Sequence, residues 1–348
     1  SEMCIRDREK NVSQMMKAHL TRASLCIDIT PDSLDSELSA LKAWMEEEKD
    51  TVYQAILNNL LGYYILDTGK KDETAIDTAI AYFQRSLQDK EILFRKSAVD
   101  YRPMTNSKEL SEKYCGDNMY QLLARQAISR LSGYFIANPV SAEKIQTEIL
   151  SIYDGLIDFY RQQGMTDARL LLMLDKLHYK GNDVSRGGVN ERLRLTDEQV
   201  ITLLKQWAEE FADSPLCGEV YCQLAERYDR MQDYTAKLKA AQTGLAKYPR
   251  SLSANDLKEQ IAEVLTPRLM VEIPFAYPGK DVDLKVKYRN LAGLTVELYR
   301  MNLPVTSPVL EREINASTLS QYGKLVSSRH YDLAATPDYK ETDTCLLY

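Results

Sequence analysis

The residues that come nearest to a chemical motif are Cys217-Gly218-Glu219-Val220. An internal thioester forms from Cys-Gly-Glu-Gln, in which the glutamine side chain supplies the acyl group that the cysteine thiol captures. Val220 has no such carbonyl, so the stretch predicts the entrance of a helix, not an acyl donor. The other cysteines (Cys4, Cys26, Cys115, Cys222 and Cys345) complete no C-x-x-C pair, and His19, His178 and His330 are far apart. Zinc needs four converging ligands, so no metal centre is expected. Cys217 and Cys222 would stand about 8 Å apart at Cα on one helix, too far for an easy disulfide. Scattered buried thiols are the expectation. Glu46-Glu47-Glu48 suits a solvated helix face, whereas acid–base catalysis needs two carboxylates placed across a pocket. No serine lies in G-x-S-x-G and no glycine-rich phosphate loop is present. The sequence therefore predicts neither an enzyme nor a cofactor.

What, then, could the chain position? Its 348 residues can build two or three cores. With 27% charged and 44% apolar residues it has the composition of a globular protein. A net charge of −7 argues against nucleic acid or an anionic membrane surface as the main partner. The densest apolar run, Leu170 to Leu174, is far short of the ~20 residues that span a bilayer. The chain starts at Ser1 and stops within a strand-like Thr344-Cys345-Leu346-Leu347-Tyr348, which predicts a fragment of a longer protein with its signal segment already removed.

Up to residue 266 apolar residues recur at helical spacing. Helices are expected over 7–26, over Leu34 to Met45, from Thr51 to a glycine cap at Gly69, and from Asp72 to Leu87. Pro103 breaks the chain before a helix ending at Asn138-Pro139. Ser141 to Gln163 carries the stripe Ile145, Ile149, Ile152, Leu156 and Tyr160, closed by Gly164; Asp167 to Tyr179 follows. Gly181 to Leu195 is an expected loop that leaves open a subdivision at 181–195. Thr196 to Gln199 forms a capping box ahead of a helix with Val200, Leu203, Leu204, Trp207 and Phe211 on one face.

This succession predicts an α-solenoid. From Gly218 to Pro249 the chain resembles a tetratricopeptide repeat, with Tyr221, Leu224, Ala225 and Tyr228 on the first helix and Tyr234, Ala241, Gly244 and Tyr248-Pro249 on the second. Lys237 departs from the small residue expected there. Leu61-Gly62 with Ala75 to Leu87 gives a looser second match with an over-long joint. A repeat of this kind binds with the exposed face of its first helix, here Glu219, Glu226 and Asp229. An acidic groove there would take a basic or amine-bearing peptide; an ordinary wetted helix face fits the same residues and is the simpler reading.

Past Thr266-Pro267 the period falls to two. Val282, Leu284, Val286 and Tyr288 alternate with Asp283, Lys285 and Lys287, and Leu294, Val296 and Leu298 resume after a turn at Asn290 to Gly293, which predicts a hairpin. Pro304 and Pro308 confine their segment to an edge or loop; a helical turn at Asn315–Tyr322 and strands at Lys324–Leu333 and Cys345–Tyr348 are expected to follow.

Val286-Lys287-Tyr288-Arg289-Asn290 followed by Val296 to Met301 resembles the N-terminal part of bacterial α-macroglobulin-like proteins, and Asp338-Tyr339-Lys340 with Thr342-Asp343-Thr344 is similar to the late part of one of their domains. The resemblance implies a multidomain α plus β chain: an all-helical, tetratricopeptide-like solenoid over 1–266, then a β-sandwich of macroglobulin or immunoglobulin type over 267–348, cut short at its end. It also implies a cell-envelope (periplasm or outer membrane) or secreted protein that traps or inhibits proteases through segments beyond this chain, which itself contains neither bait segment nor thioester and would supply non-catalytic scaffold. The alternative is a tetratricopeptide adaptor binding a protein, peptide or glycan. A glycan-processing enzyme comes last, because nothing supplies its acid and base.

Overall fold

A computed structural model describes residues 18, 21–22, 34–68, 73–101, 112–134, 139–181, 195–273, 280–302, 315 and 318–347. Among the described residues the chain to Leu265 is mainly helical, and antiparallel strands follow in two small sheets. The chain divides into two compact units, Ser1–Thr196 and Asp197–Tyr348, so the change from helix to strand falls inside the second. Most of the helix expected over 7–26, the cap at Gly69, Pro103, Asn138, most of 181–195, Pro304 and Pro308 lie outside the described residues.

The first unit contains α1 (Leu34–Glu47), α2 (Thr51–Thr68), α3 (Glu73–Ser86), the short α4 (Lys90–Phe94), α5 (Met119–Gly133), α6 (Pro139–Gln162) and α7 (Thr166–Gly181). Asp50 opens α2 by accepting from the amides of Val52 (2.8 Å) and Tyr53 (3.1 Å). Apolar residues surround α2 on nearly every side, which suits a helix enclosed by α1, α3 and α5. A Cβ at Gly62 would sit 3.0 Å from the Phe83 ring, so α2 and α3 touch almost backbone to ring. Trp44 of α1 packs against this same core.

Neutral hydrogen bonds join several of the polar groups buried here. Asn59, 4% exposed, donates to the Ser86 hydroxyl (3.3 Å) and the Leu123 carbonyl (3.1 Å), tying α2 to α3 and α5. Asn118 caps α5 through the Gln121 amide (2.8 Å) and donates to the Tyr160 hydroxyl (3.1 Å), which in turn donates to the Cys115 carbonyl (3.0 Å). Burial holds the Tyr160 phenol well above its ordinary pKa, so it stays a donor. Edge-on contacts link Phe94, Tyr120, Phe159 and Tyr160, with centroids 5.1–6.1 Å apart. In α6 the predicted stripe of Ile145, Ile149, Ile152, Leu156 and Tyr160 is buried throughout. Pro139 occupies the first position of α6, where its missing N–H costs nothing. Gly164 takes φ +70 and lets the Met165 amide reach the Tyr160 carbonyl at 3.0 Å, closing the helix as expected.

The second unit opens with α8 (Asp197–Glu210), α9 (Cys217–Arg230), α10 (Tyr234–Lys247) and α11 (Ala254–Leu265), each packed on its neighbour in sequence. Then come β1 (Arg268–Glu272), β2 (Asp283–Arg289), β3 (Gly293–Met301), a single helical turn at Leu319–Tyr322, β4 (Gly323–Asp332) and β5 (Thr342–Leu347). One sheet has the order β1-β2-β5; the other is β3-β4. The alternation along β2 is as expected: Leu284, Val286 and Tyr288 are buried, and Asp283, Lys285 and Lys287 exposed. With Leu333 they form a small core, against which Leu294 and Val296 of β3 and Leu346 of β5 pack.

The predicted hairpin does not form. β2 pairs with β1 and β5, and β3 pairs with β4, so Asn290 to Gly293 carries the chain from one sheet to the other. Asn290 takes φ +55, as a turn residue would, but its bonds run to distant partners. Its amide donates to the Thr336 hydroxyl (3.0 Å), and its side chain donates to the Val264 carbonyl (2.7 Å). Local turn chemistry was correctly signalled; which strand lay across it was not.

Candidate functional site

The α9–α10–α11 layer and its seam with β2 hold the residues marked by the sequence. Gly244 permits a close crossing of α9 and α10: a Cβ there would meet Tyr221 Cβ at 2.5 Å. Leu224, Ala225 and Ala241 are buried at the same interface, and the Tyr221 and Tyr248 rings stand 6.0 Å apart. The Tyr248 hydroxyl reaches the Ala212 carbonyl (2.8 Å), securing the joint after α8. Arg227, 8% exposed, pairs with Asp197 (3.2 Å) and ties the end of α9 to the start of α8.

Glu219, Glu226 and Asp229 share one side of α9, and two of them are engaged within the chain. Glu219 accepts from the Ser253 amide (2.8 Å) and also bonds the Ser253 hydroxyl, so it satisfies the N-terminal end of α11. Asp229 pairs with Lys237 at 2.7 Å. Glu226 remains exposed, with a long 3.9 Å contact from the Cys222 thiol.

Lys237, the residue out of place in the repeat pattern, occupies the centre of this region. It is 2% exposed, and its ammonium bridges Asp229 of α9 and Glu263 of α11, each at 2.7 Å. Burial pushes its pKa down, but the two carboxylates outweigh that and leave it above the ordinary lysine value. Its long stem fills the space that a small residue would leave open. The sequence shows that a lysine stands at a small-residue position but not which carboxylates meet it.

Two further residues went unmarked. Arg289, 4% exposed, donates to the Glu263 carbonyl (2.6 Å) while Asn290 takes the next carbonyl, Val264. Together they cap the C-terminus of α11 from the end of β2. A signal existed: α11 ends in Leu265-Thr266-Pro267 with no glycine, so its last carbonyls had to find donors elsewhere.

The thiols here are poor nucleophiles. Burial raises the Cys217 thiol, which donates to the Ala208 carbonyl at 3.7 Å. Burial, with Glu226 beside it, pushes Cys222 up to about 12. Among the described residues no three His, Cys, Asp or Glu side chains converge as metal ligands, and no helix is long and apolar enough to cross a membrane. Shallow grooves among the described residues include these two. One of about 440 Å³ is lined by Asp89, Lys90, Asp158 and Phe159 in the first unit. The other, of about 520 Å³, runs over β1, β2 and β5 past Met270, Glu272, Lys285, Lys287 and Cys345. What the arrangement can do is hold a helical layer and a sheet in fixed relation. No family model matches the chain, and no curated protein or solved structure matches it either.

Proposed function

We propose that the chain is a non-catalytic scaffold and interaction region of a bacterial macroglobulin-like envelope protein, acting in protease inhibition or trapping together with segments beyond it. On this reading α9 and α10 are a tetratricopeptide-like pair and the two sheets belong to a macroglobulin-type sandwich. The reading rests on the seam itself: Arg289 and Asn290 cap α11 while Lys237 pins α9, α10 and α11 together. A placement role requires such a joint, because it carries the orientation of a helical layer into the sheet that follows. The interlocked Tyr221, Gly244 and Tyr248, and the shared core of Leu284, Val286, Leu294 and Val296, support the finer fold assignment.

The second reading, an adaptor for a protein, peptide or glycan, draws on exposed Glu226 above the α9–α11 seam. One experiment separates the two. An antibody raised on this chain is used to probe fractionated cells. A band several times larger than 39.8 kDa in the envelope fraction, joined by co-purification of an added protease, is the result expected of the scaffold reading. A band near 39.8 kDa in the cytoplasm overturns it and favours the adaptor.

A further inference from the structure

β1 is an edge strand made of Arg268-Leu269-Met270-Val271-Glu272. One side pairs with β2; the other pairs with nothing among the described residues. All five residues are exposed, with Leu269 at 46%, Met270 at 61% and Val271 at 37%, and Ile273 just beyond at 70%. Natural edge strands are blunted by a central charge, a proline or a bulge. β1 has none of these within it. Its charges stand at its two ends, positive first and negative last.

That pattern is complementary to itself. Two copies aligned antiparallel about Met270 put Arg268 of each opposite Glu272 of the other, and Leu269 opposite Val271. We propose that β1 is the interface between two copies of this chain, which join edge to edge about a two-fold axis at Met270 into one continuous six-stranded sheet. The register within each copy agrees with this. Leu269 and Val271 lie beside Tyr288 and Val286, the buried row of β2, so pairing sets the apolar rows of the two copies side by side on one face. On the opposite face Arg268 is aligned with Arg289 of its own chain, a like charge that a partner's carboxylate offsets. The contacts that Arg268 now makes, to Glu263 at 3.9 Å and Glu341 at 3.6 Å, are loose and exposed, and leave it able to turn outward. β3 carries Glu297 and Arg300 only three residues apart, a spacing with no central residue to set them opposite each other in such a pairing, and a bulge between Leu298 and Tyr299 falls there. An isologous contact of this kind closes at two copies and does not propagate.

The test is sedimentation velocity on the 348-residue chain from micromolar to hundreds of micromolar concentration. A concentration-dependent dimer is expected. Arg268→Glu alone and Glu272→Arg alone each set like charges opposite one another and weaken the dimer about tenfold, and the double exchange restores it. Separately, Met270→Cys in a Cys345→Ser background forms a disulfide-linked dimer on oxidation, because the two positions face each other across the axis. A chain that stays monomeric at every concentration, a dimer indifferent to the single reversals, or a double exchange that fails to recover overturns the proposal. So does the absence of a cross-link at residue 270. Thermal unfolding of each variant confirms that it is folded.

Discussion

Two regions bury polar groups in opposite ways. Around α2, α3, α5 and α6, the buried Asn59, Asn118 and Tyr160 are neutral and meet one another or a carbonyl. At the seam of α9, α10, α11 and β2, the buried groups are cations: Lys237 between two carboxylates and Arg289 against a helix end. A neutral network specifies one packing and is indifferent to moderate changes in pH or salt. A buried cation is costly to desolvate and stays only while its partners remain, so it fixes relative placement more than it adds stability. The first region is built to be stable, the second to hold an orientation.

The largest expected effect breaks the first region. Phe83→Ala removes a fully buried ring against Gly62 and should cost about 3–5 kcal/mol in denaturant unfolding of that unit. At the seam, Lys237→Ala should cost about 2–3 kcal/mol, because it empties the space of the stem as well as removing the charge. Lys237→Met keeps the stem and should cost only about 1 kcal/mol, Asp229 and Glu263 being exposed enough to return to water. If the two variants prove equal, charge outweighs packing at the seam and the contrast with the first region is sharper than drawn. Arg289→Ala leaves the Glu263 carbonyl short of a donor and should cost about 1–2 kcal/mol, with faster amide exchange at the end of α11.

The smallest effect concerns a carboxylate that burial perturbs in the first region. Glu148 on α6 is raised from 4.5 by desolvation, partly opposed by the hydrogen bond from Gln84 (2.8 Å). A raised folded pKa means that its contribution is most favourable below the unfolded value and is lost as pH rises through the folded one. Glu148→Gln should therefore match the parent below pH 4.5 and melt at a higher temperature above it. Melting curves across pH 3.5 to 7, the window on either side of ~4.5, check the sign.

Most helices and the buried face of β2 were legible, because periodicity reports which side of an element is dry. The α6 stripe and the alternation at Leu284, Val286 and Tyr288 needed no partner to be recognised. Strand pairing needed one, and the hairpin expectation failed at Asn290, whose bonds go to Val264 and Thr336, 26 and 46 residues away. Of the acidic residues expected on the exposed face of α9 only Glu226 is exposed, because what Glu219 and Asp229 touch depends on α11 and on Lys237. The sequence records the spacing of those residues, whereas their partners are set only by the packing of three helices.

The chain has two tryptophans, and the fold assigns one to each unit: Trp44 in α1, and Trp207 in α8 four residues before buried Phe211. Replacing either with phenylalanine leaves a single indole whose emission follows the unfolding of its own unit. The two halves of the molecule can thus be observed separately by fluorescence in the intact chain, with no label and no cut.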